Sequence, residues 1–456
     1  MRAGLAAALV AIFLALNLAW LGQDKLVRDG DEEGHVGAAE MFLHDLRSGE
    51  PAKFIRRALW EDMGDYPSLY PAAVGAWWYA AGDGQPSRPG VRVVNLAFLL
   101  VTAACVAGTA ALLGARGGAA VGGAAVLFLP LSTGIGRHFM PEGALAAAVA
   151  LAVLAAAWQR RRPSWESAVL LGLALGIGFL TKQTVILYAA VPVLVLVRWH
   201  PSLLALPAGA AIAAPWAWVN LADQLDYASQ SAGYPGTLAD HALYYPQALW
   251  QPALGPIWLS LLAGAVVAAG KPRGRAPVVI AGAWLIGGIL LLSFVPKKYD
   301  RLLVPVLPAV GLVFAAAAQR HPRLSPILLV GVGWTAWTSF DEVSLAGPNP
   351  RAEAFHPGCV QTWLRPPVDE DLGYPQVAEF VRTASPGPVV VIDAPGIDCA
   401  VQTTHGWAYH LGPYLRREGL DREVLEEGRG MVTVDFSGGP GEAVEVPLLD
   451  TRFTLR

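Results

Sequence analysis

Charge is what this sequence has least of. Only 15% of its 456 residues are Asp, Glu, Lys or Arg, against 54% hydrophobic, and the mean hydropathy is +0.43. A soluble chain of this length carries more charge, so the scarcity points to a helical protein that crosses a membrane many times. Cysteine is also scarce: the three present form no Cys-x-x-Cys pair, which argues against a structural zinc site. There is no Walker-type loop and no Gly-x-Gly-x-x-Gly after a strand, so nothing handles a nucleotide in a familiar way. No nucleic-acid partner is expected either.

What is abundant fits a bilayer. Many of the sixteen tryptophans stand beside the ends of hydrophobic runs (Trp20, Trp158, Trp199, Trp218, Trp250), as interfacial belts do. Ala and Gly fill the runs and permit close helix packing. The first run, Gly4 to Leu21, is about long enough to cross, since a span takes roughly 20 apolar residues. We read it as an uncleaved first span, because Leu18-Ala19-Trp20 is a poor cleavage site. Further runs bring the expected number of transmembrane helices to about eleven. Arg116, Arg160 to Arg162, Arg198, Lys271, Arg273, Arg275, Arg320 and Arg323 fall in alternate short connections, which places those connections in the cytoplasm with the amino terminus. The acidic stretch after the first span, the 220–255 loop, the 297–301 turn and the carboxyl-terminal tail then face outward.

Residues 1–340 thus read as a transmembrane domain. Residues 341–456 read as a Pro-rich linker and a small extracytoplasmic α/β domain, with helices at Gln376–Thr383 and Trp407–Arg417 and strands at Pro388–Ile392, Met431–Phe436 and Val444–Leu448. Cys359 and Cys399 lie there, and a disulfide and two free thiols are equally open. Ala/Gly/Arg-rich, Lys-poor usage suggests a GC-rich bacterial genome.

The chemistry-bearing stretch is Arg28-Asp29-Gly30-Asp31-Glu32-Glu33-Gly34-His35, read as a loop at the outer surface. Like charges at this spacing raise some carboxyl pKa values, which suits a proton acceptor. A solvated acidic loop is the bland alternative. Lys182 at a span end can snorkel to the interface or bind an anion. Glu142 can cap the helix that follows it or touch substrate, and the two readings weigh equally. Lys297, Lys298 and Arg301 run against the positive-inside bias, which favours their use on an anion.

Four stretches together resemble the polytopic GT-C glycosyltransferases, which include protein O-mannosyltransferases and lipid A aminoarabinose transferases. They are Asp31-Glu32-Glu33-Gly34-His35 with Ala39-Glu40-Met41; Arg137-His138-Phe139-Met140-Pro141-Glu142; the Gly-rich span from Gly172 through Gly176 to Thr181-Lys182; and the turn from Lys298-Tyr299-Asp300-Arg301 to Pro305 and Pro308. The chain departs from that pattern at His35, Glu142 and Leu302. The resemblance implies transfer of a sugar from a dolichyl-, undecaprenyl- or other polyprenyl-phosphate donor to a lipid, glycan or protein acceptor, with inversion, at the outer face of a bacterial cytoplasmic (inner) membrane. It implies Asp31 as general base with Glu32 and Glu142 in catalysis, and Lys182, Arg137, His138, Lys297, Lys298 and Arg301 as donor-phosphate ligands. His35, Tyr234, His241 and Tyr244 are weaker candidates for acceptor or sugar contacts. No cofactor is required; a divalent metal on the carboxylates stays open. A multi-span transporter and a lipid-linked glycan ligase or polymerase are the competing readings.

Overall fold

The computed structural model describes residues 2–24, 30–61, 66–82, 88–197, 203–231, 236–270, 275–340, 351, 364, 366–367, 374–384, 389–392, 411, 415, 420, 424–425, 432–435, 442–446 and 451–455. Two compact units emerge. One comprises Met1–Leu21, Val36–Phe355 and Thr362–Pro366; the other comprises Gly22–His35, His356–Gln361 and Pro367–Arg456.

The larger unit is helical. Its helices are α1 (Arg2–Gln23), α2 (Gly30–Arg47, whose first turns belong to the other unit), α3 (Pro51–Trp60), α4 (Leu69–Ala81), α5 (Arg88–Leu112), α6 (Ala119–Val126), α7 (Pro130–Ile135), α8 (Glu142–Arg161), α9 (Trp165–Thr181), α10 (Val185–Leu196), α11 (Ala205–Ser231), α12 (Leu238–Ala248), α13 (Gly255–Ala269), α14 (Arg275–Ser293), α15 (Ala309–Arg320) and α16 (Leu328–Thr338). Six described stretches are long and apolar enough to cross a membrane by length and composition: Ala3–Gln23, Arg92–Leu112, Glu142–Arg161, Ala205–Asp226, Leu238–Ala269 and Arg275–Ser293. Three more, α9, α10 and α15, are apolar but shorter.

The acidic stretch expected as a loop is, from Gly30 onward, the start of a helix. Carboxylates are favourable in a first helical turn, where free N–H groups and the dipole meet negative charge. The run expected as one span over 119–135 is two short helices, α6 and α7. Pro130 opens the second, because a proline without an N–H is tolerated in a first turn and not in a helix interior. From Val121 to Ile135 the broken segment is buried. Buried interruption is the condition under which irregular backbone survives at membrane depth.

Small residues set the close approaches. A Cβ on Gly172 would run into the Ala205 carbonyl oxygen, and one on Gly176 would sit 2.9 Å from the Gly209 oxygen. The Gly-rich span therefore brings the backbones of α9 and α11 together, as small-xxx-small faces do. Gly122 of α6 meets the Gly311 carbonyl of α15 in the same way.

An aromatic cluster of Tyr70, Trp78 and Phe139, with Val36, Ala39, Leu43, Val74, Val94 and Ala144, joins α2, α4, α5 and α8. Phe139 stacks on Trp78 at 6.0 Å and leans on Tyr70 at 5.3 Å. Helix α4 buries Trp78 and exposes Trp77 and Tyr79.

In the smaller unit, α17 (Tyr374–Thr383) buries Tyr374, Val377, Ala378 and Val381. The strands are β1 (Val389–Ile392), β2 (Val424–Leu425), β3 (Val432–Asp435), β4 (Glu442–Val446) and β5 (Thr451–Leu455). They pair in the order β2-β1-β3-β5-β4, parallel about β1 and antiparallel about β5. Cys359 and Cys399 lie outside the described residues.

Helices α2 and α3 are locked by one buried carboxylate. Asp45 accepts from Arg57 Nε at 2.9 Å and pairs with Lys53 Nζ at 3.1 Å. Burial pushes the Asp45 pKa up, but the hydrogen bonds and charges of Lys53 and Arg57 outweigh it and hold the carboxyl below the usual aspartate range. A depressed folded-state value stabilises above the unfolded pKa and loses that stability as the folded value is crossed on acidification. Asp45→Asn should cost about 2 kcal/mol near neutral pH and flatten the loss of stability below about pH 4. Thermal unfolding of wild type and variant across that pH range checks both; parallel curves would refute the assignment.

Candidate functional site

Glu142 is the first residue of α8, directly after Pro141, and is 1% exposed. The turn before it is pinned by Asn95 of α5, whose Nδ2 donates to the carbonyls of His138 and, at 3.2 Å, Met140. Tyr70 on α4 donates in turn to Asn95 Oδ1 at 3.2 Å. An asparagine inside an apolar helix thus fixes where the carboxylate stands.

Two cations reach that carboxylate from distant parts of the chain. Lys182 ends α9 with extended backbone (φ −163°, ψ 126°), and Thr184 starts α10, so the chain breaks between two apolar helices. Across that break Lys182 Nζ donates to Glu142 Oε1 at 2.9 Å and sits 4.7 Å from the Tyr66 ring centroid. Arg301 lies in a 3-10 turn, Asp300–Leu303, ahead of Pro305 and Pro308. Its Nε stands 3.7 Å from the same oxygen, its Nη1 donates to Met140 Sδ at 3.3 Å, and its guanidinium lies over the Tyr299 ring at 4.9 Å.

All three charged groups are under a tenth exposed. Glu142, Lys182 and Arg301 together carry one more positive than negative charge. Both cations lean on one carboxylate oxygen, while Glu142 Oε2 is buried with no hydrogen-bond partner among the described residues. Tyr188 of α10 is buried within electrostatic range of Glu142. Such a cluster suits an anion that would share the cations with Glu142 and restore charge balance in a low-dielectric setting.

The other expected residues are placed as follows. Asp31 is in the first turn of α2, its side chain outside the described set; Glu32 is fully buried and His35 half-buried. Arg137 is fully buried and works between helices: Nε donates to Asn17 Oδ1 at 2.8 Å, Nη2 to Ser339 Oγ at 2.9 Å, with the guanidinium 4.9 Å over the Trp20 ring. His138 is buried and gives its carbonyl to Asn95. Lys298 caps the end of α14, donating to the Leu292 and Ser293 carbonyls at 2.9 and 3.0 Å and to that of Val295. Lys297 is half-buried over Tyr299, 5.4 Å from its ring centroid. His241 is half-buried on α12, and Tyr244 is buried edge-on to Tyr245 at 5.1 Å. Tyr234 lies outside the described residues. Tyr66, Tyr188 and Met140 were not singled out from sequence, and aromatic or thioether side chains in an aromatic-rich membrane chain carry no signal that would single them out. Among the described residues no group of three His, Cys, Asp or Glu side chains is placed to hold a metal ion, and the side chains of Asp31 and Glu33 are not in that set.

A buried carboxylate between two cations, held where helix ends and a broken span converge, belongs to a polytopic membrane protein with the fold of GT-C glycosyltransferases. The chain is similar to ArnT from Cupriavidus metallidurans bound to undecaprenyl phosphate, with a TM-score of 0.62 and 15% identity over 94% of this chain and 87% of that one. It is also similar to ArnT from the same organism in the apo state, with a TM-score of 0.57 and 15% identity over 95% and 93%. Residues 83–222 match the dolichyl-phosphate-mannose-protein mannosyltransferase family. No curated protein matches the chain in sequence.

Lys182→Met leaves Glu142 buried beside a more distant cation, and removing one member of a buried pair costs about 3–5 kcal/mol. Glu142→Gln in the same chain should recover a good part of that loss. A double-mutant cycle by thermal denaturation measures this coupling, and strict additivity of the two changes would show that the pair is not energetically linked.

Proposed function

We propose that this protein transfers a sugar from a polyprenyl-phosphate donor to an acceptor at the outer face of a bacterial cytoplasmic membrane. The observation that carries the reading is the Lys182–Glu142–Arg301 cluster, two buried cations on one carboxylate oxygen that a lipid-linked phosphate could share. Lys182 and Arg301 hold the departing phosphate, and fixed cations aimed at developing negative charge are the largest lever on such a step. Glu142 positions the two cations. Asp31 accepts the proton of the acceptor hydroxyl as that oxygen attacks the anomeric carbon, giving inversion, and neighbouring carboxylates stabilise an oxocarbenium-like transition state. Arg137 and Lys298 we assign to the scaffold, because Nε and Nη2 of Arg137 are engaged by Asn17 and Ser339 and the Lys298 ammonium by the end of α14.

On this reading the broken segment 119–135 and the shorter helices α9, α10, α15 and α16 also cross, which brings the number of spans toward eleven. The smaller unit with its five-stranded sheet then lies outside the membrane.

Purified protein in nanodiscs with a panel of radiolabelled polyprenyl-phosphate sugars and a membrane extract tests this. Wild type should release polyprenyl phosphate; Asp31→Asn should lower turnover at least a hundredfold while donor binding survives, since general-base catalysis contributes about 10²–10⁴. Lys182→Ala should instead weaken donor binding. Neither binding nor turnover with any donor would sink the proposal, and solute flux into liposomes would move the protein to the transporters.

A further inference from the structure

A second cavity lies away from this cluster, at the far end of α15. It has a volume of about 230 Å³ and is walled by α13 (Leu261, Gly264, Ala265), α15 (Phe314, Ala317) and the 3-10 turn Pro322–Ile327 that leads into α16. The twelve residues of α15 separate it from the Arg301 turn by about 18 Å of helix rise.

Its lining is apolar with three exceptions, Ser260, His321 and Ser325, of which Ser260 donates to the Pro256 carbonyl at 2.8 Å. The Ser325 hydroxyl is 4% exposed and has no hydrogen-bond partner among the described residues, and His321 lies at the mouth. Beside them Arg320 and Arg323 are exposed, and no described acidic side chain forms an ion pair with either. No acidic residue lines the cavity. A Cβ built on Gly264 meets nothing within 4 Å, so the space there is open to the surface of α13. Around it Val267, Leu324 and Ile327 are exposed apolar side chains of the kind that face acyl chains.

A wholly apolar slot would take any hydrocarbon. An unpaired buried hydroxyl in a turn that also carries a histidine and two exposed arginines selects an amphiphile with an anionic head. We propose that this groove is a binding site for one phospholipid with an anionic head group. An acyl chain lies between α13 and α15, the Ser325 hydroxyl donates to an ester or phosphate oxygen, and Arg320 and Arg323 pair with the head-group charge. The arginines belong to the connections assigned to the cytoplasmic side, so the lipid comes from the leaflet opposite the one proposed for the sugar donor.

Native mass spectrometry of protein taken from nanodiscs of mixed phosphatidylglycerol and phosphatidylcholine reads retention directly. Wild type should keep one phosphatidylglycerol in preference to phosphatidylcholine. The double variant Arg320→Gln, Arg323→Gln should lose that preference by about ten- to thirtyfold, since each basic residue near an anionic lipid surface contributes roughly fivefold. Gly264→Leu, whose side chain enters the open space, should abolish retention of either lipid. If Gly264→Leu does not fold, the exposed arginine pair decides alone. Equal retention of the two lipids by wild type, or unchanged preference in the arginine variant, would overturn the proposal. So would a concentration-dependent dimer that Gly264→Leu dissolves, which would give the groove to a second copy of the chain.

Discussion

Everything around the candidate site follows from burying one carboxylate, Glu142, with two cations in a protein that has few charges to spend. An ionised carboxylate taken out of water costs several kcal/mol unless it is paired and hydrogen-bonded. Lys182 and Arg301 meet that cost, but only if three backbone irregularities coincide: the turn before α8, the break between α9 and α10, and the 3-10 turn at Asp300–Leu303. Each irregularity needs its own support. Asn95 satisfies carbonyls of the first, Thr184 opens the helix after the second, and Pro305 and Pro308 keep the third from winding into α15.

The same arrangement explains why cations that look equivalent in sequence are not equivalent in space. Arg137 stands only five residues before Glu142, yet its guanidinium points to Asn17 and Ser339 and ties α1 to the end of α16. Lys298 is three residues from Arg301 and saturates its ammonium on the free carbonyls at the end of α14, where a positive charge also meets the helix dipole. Both are buried and both are costly to move. Lys182 and Arg301 differ because both meet one carboxylate, Glu142.

Between the helices, packing rests on the near absence of side chains. Gly172 on α9 lies against the backbone of α11, and Gly122 on α6 against that of α15, which leaves van der Waals contact to hold faces that lipid could otherwise cover. Close backbones are rigid backbones, and rigidity is what a site with tolerances of a fraction of an ångström needs. The groove at the Arg320 end of α15 is the counterpart: there Gly264 meets no neighbour, and the space between helices stays open.

Low charge, long apolar runs and alternating arginine-rich connections were enough to define a polytopic helical membrane protein, because a bilayer imposes its rule residue by residue along the chain. The four motifs located Glu142, Lys182 and Arg301 for the same reason: charge in a membrane protein is conspicuous wherever it is buried. The sequence left open whether Glu142 caps a helix or faces a ligand; in the structure it is the first residue of α8 and pairs with Lys182 and Arg301. The helical start at Gly30, the break before Pro130 and the parting of Arg137 and Lys298 from the cluster were decided only in three dimensions. The parting of the two cations depends on partners outside their own motifs, Asn17 and Ser339 for Arg137 at 120 and 202 residues and the end of α14 for Lys298, and local pattern carries little information about such contacts.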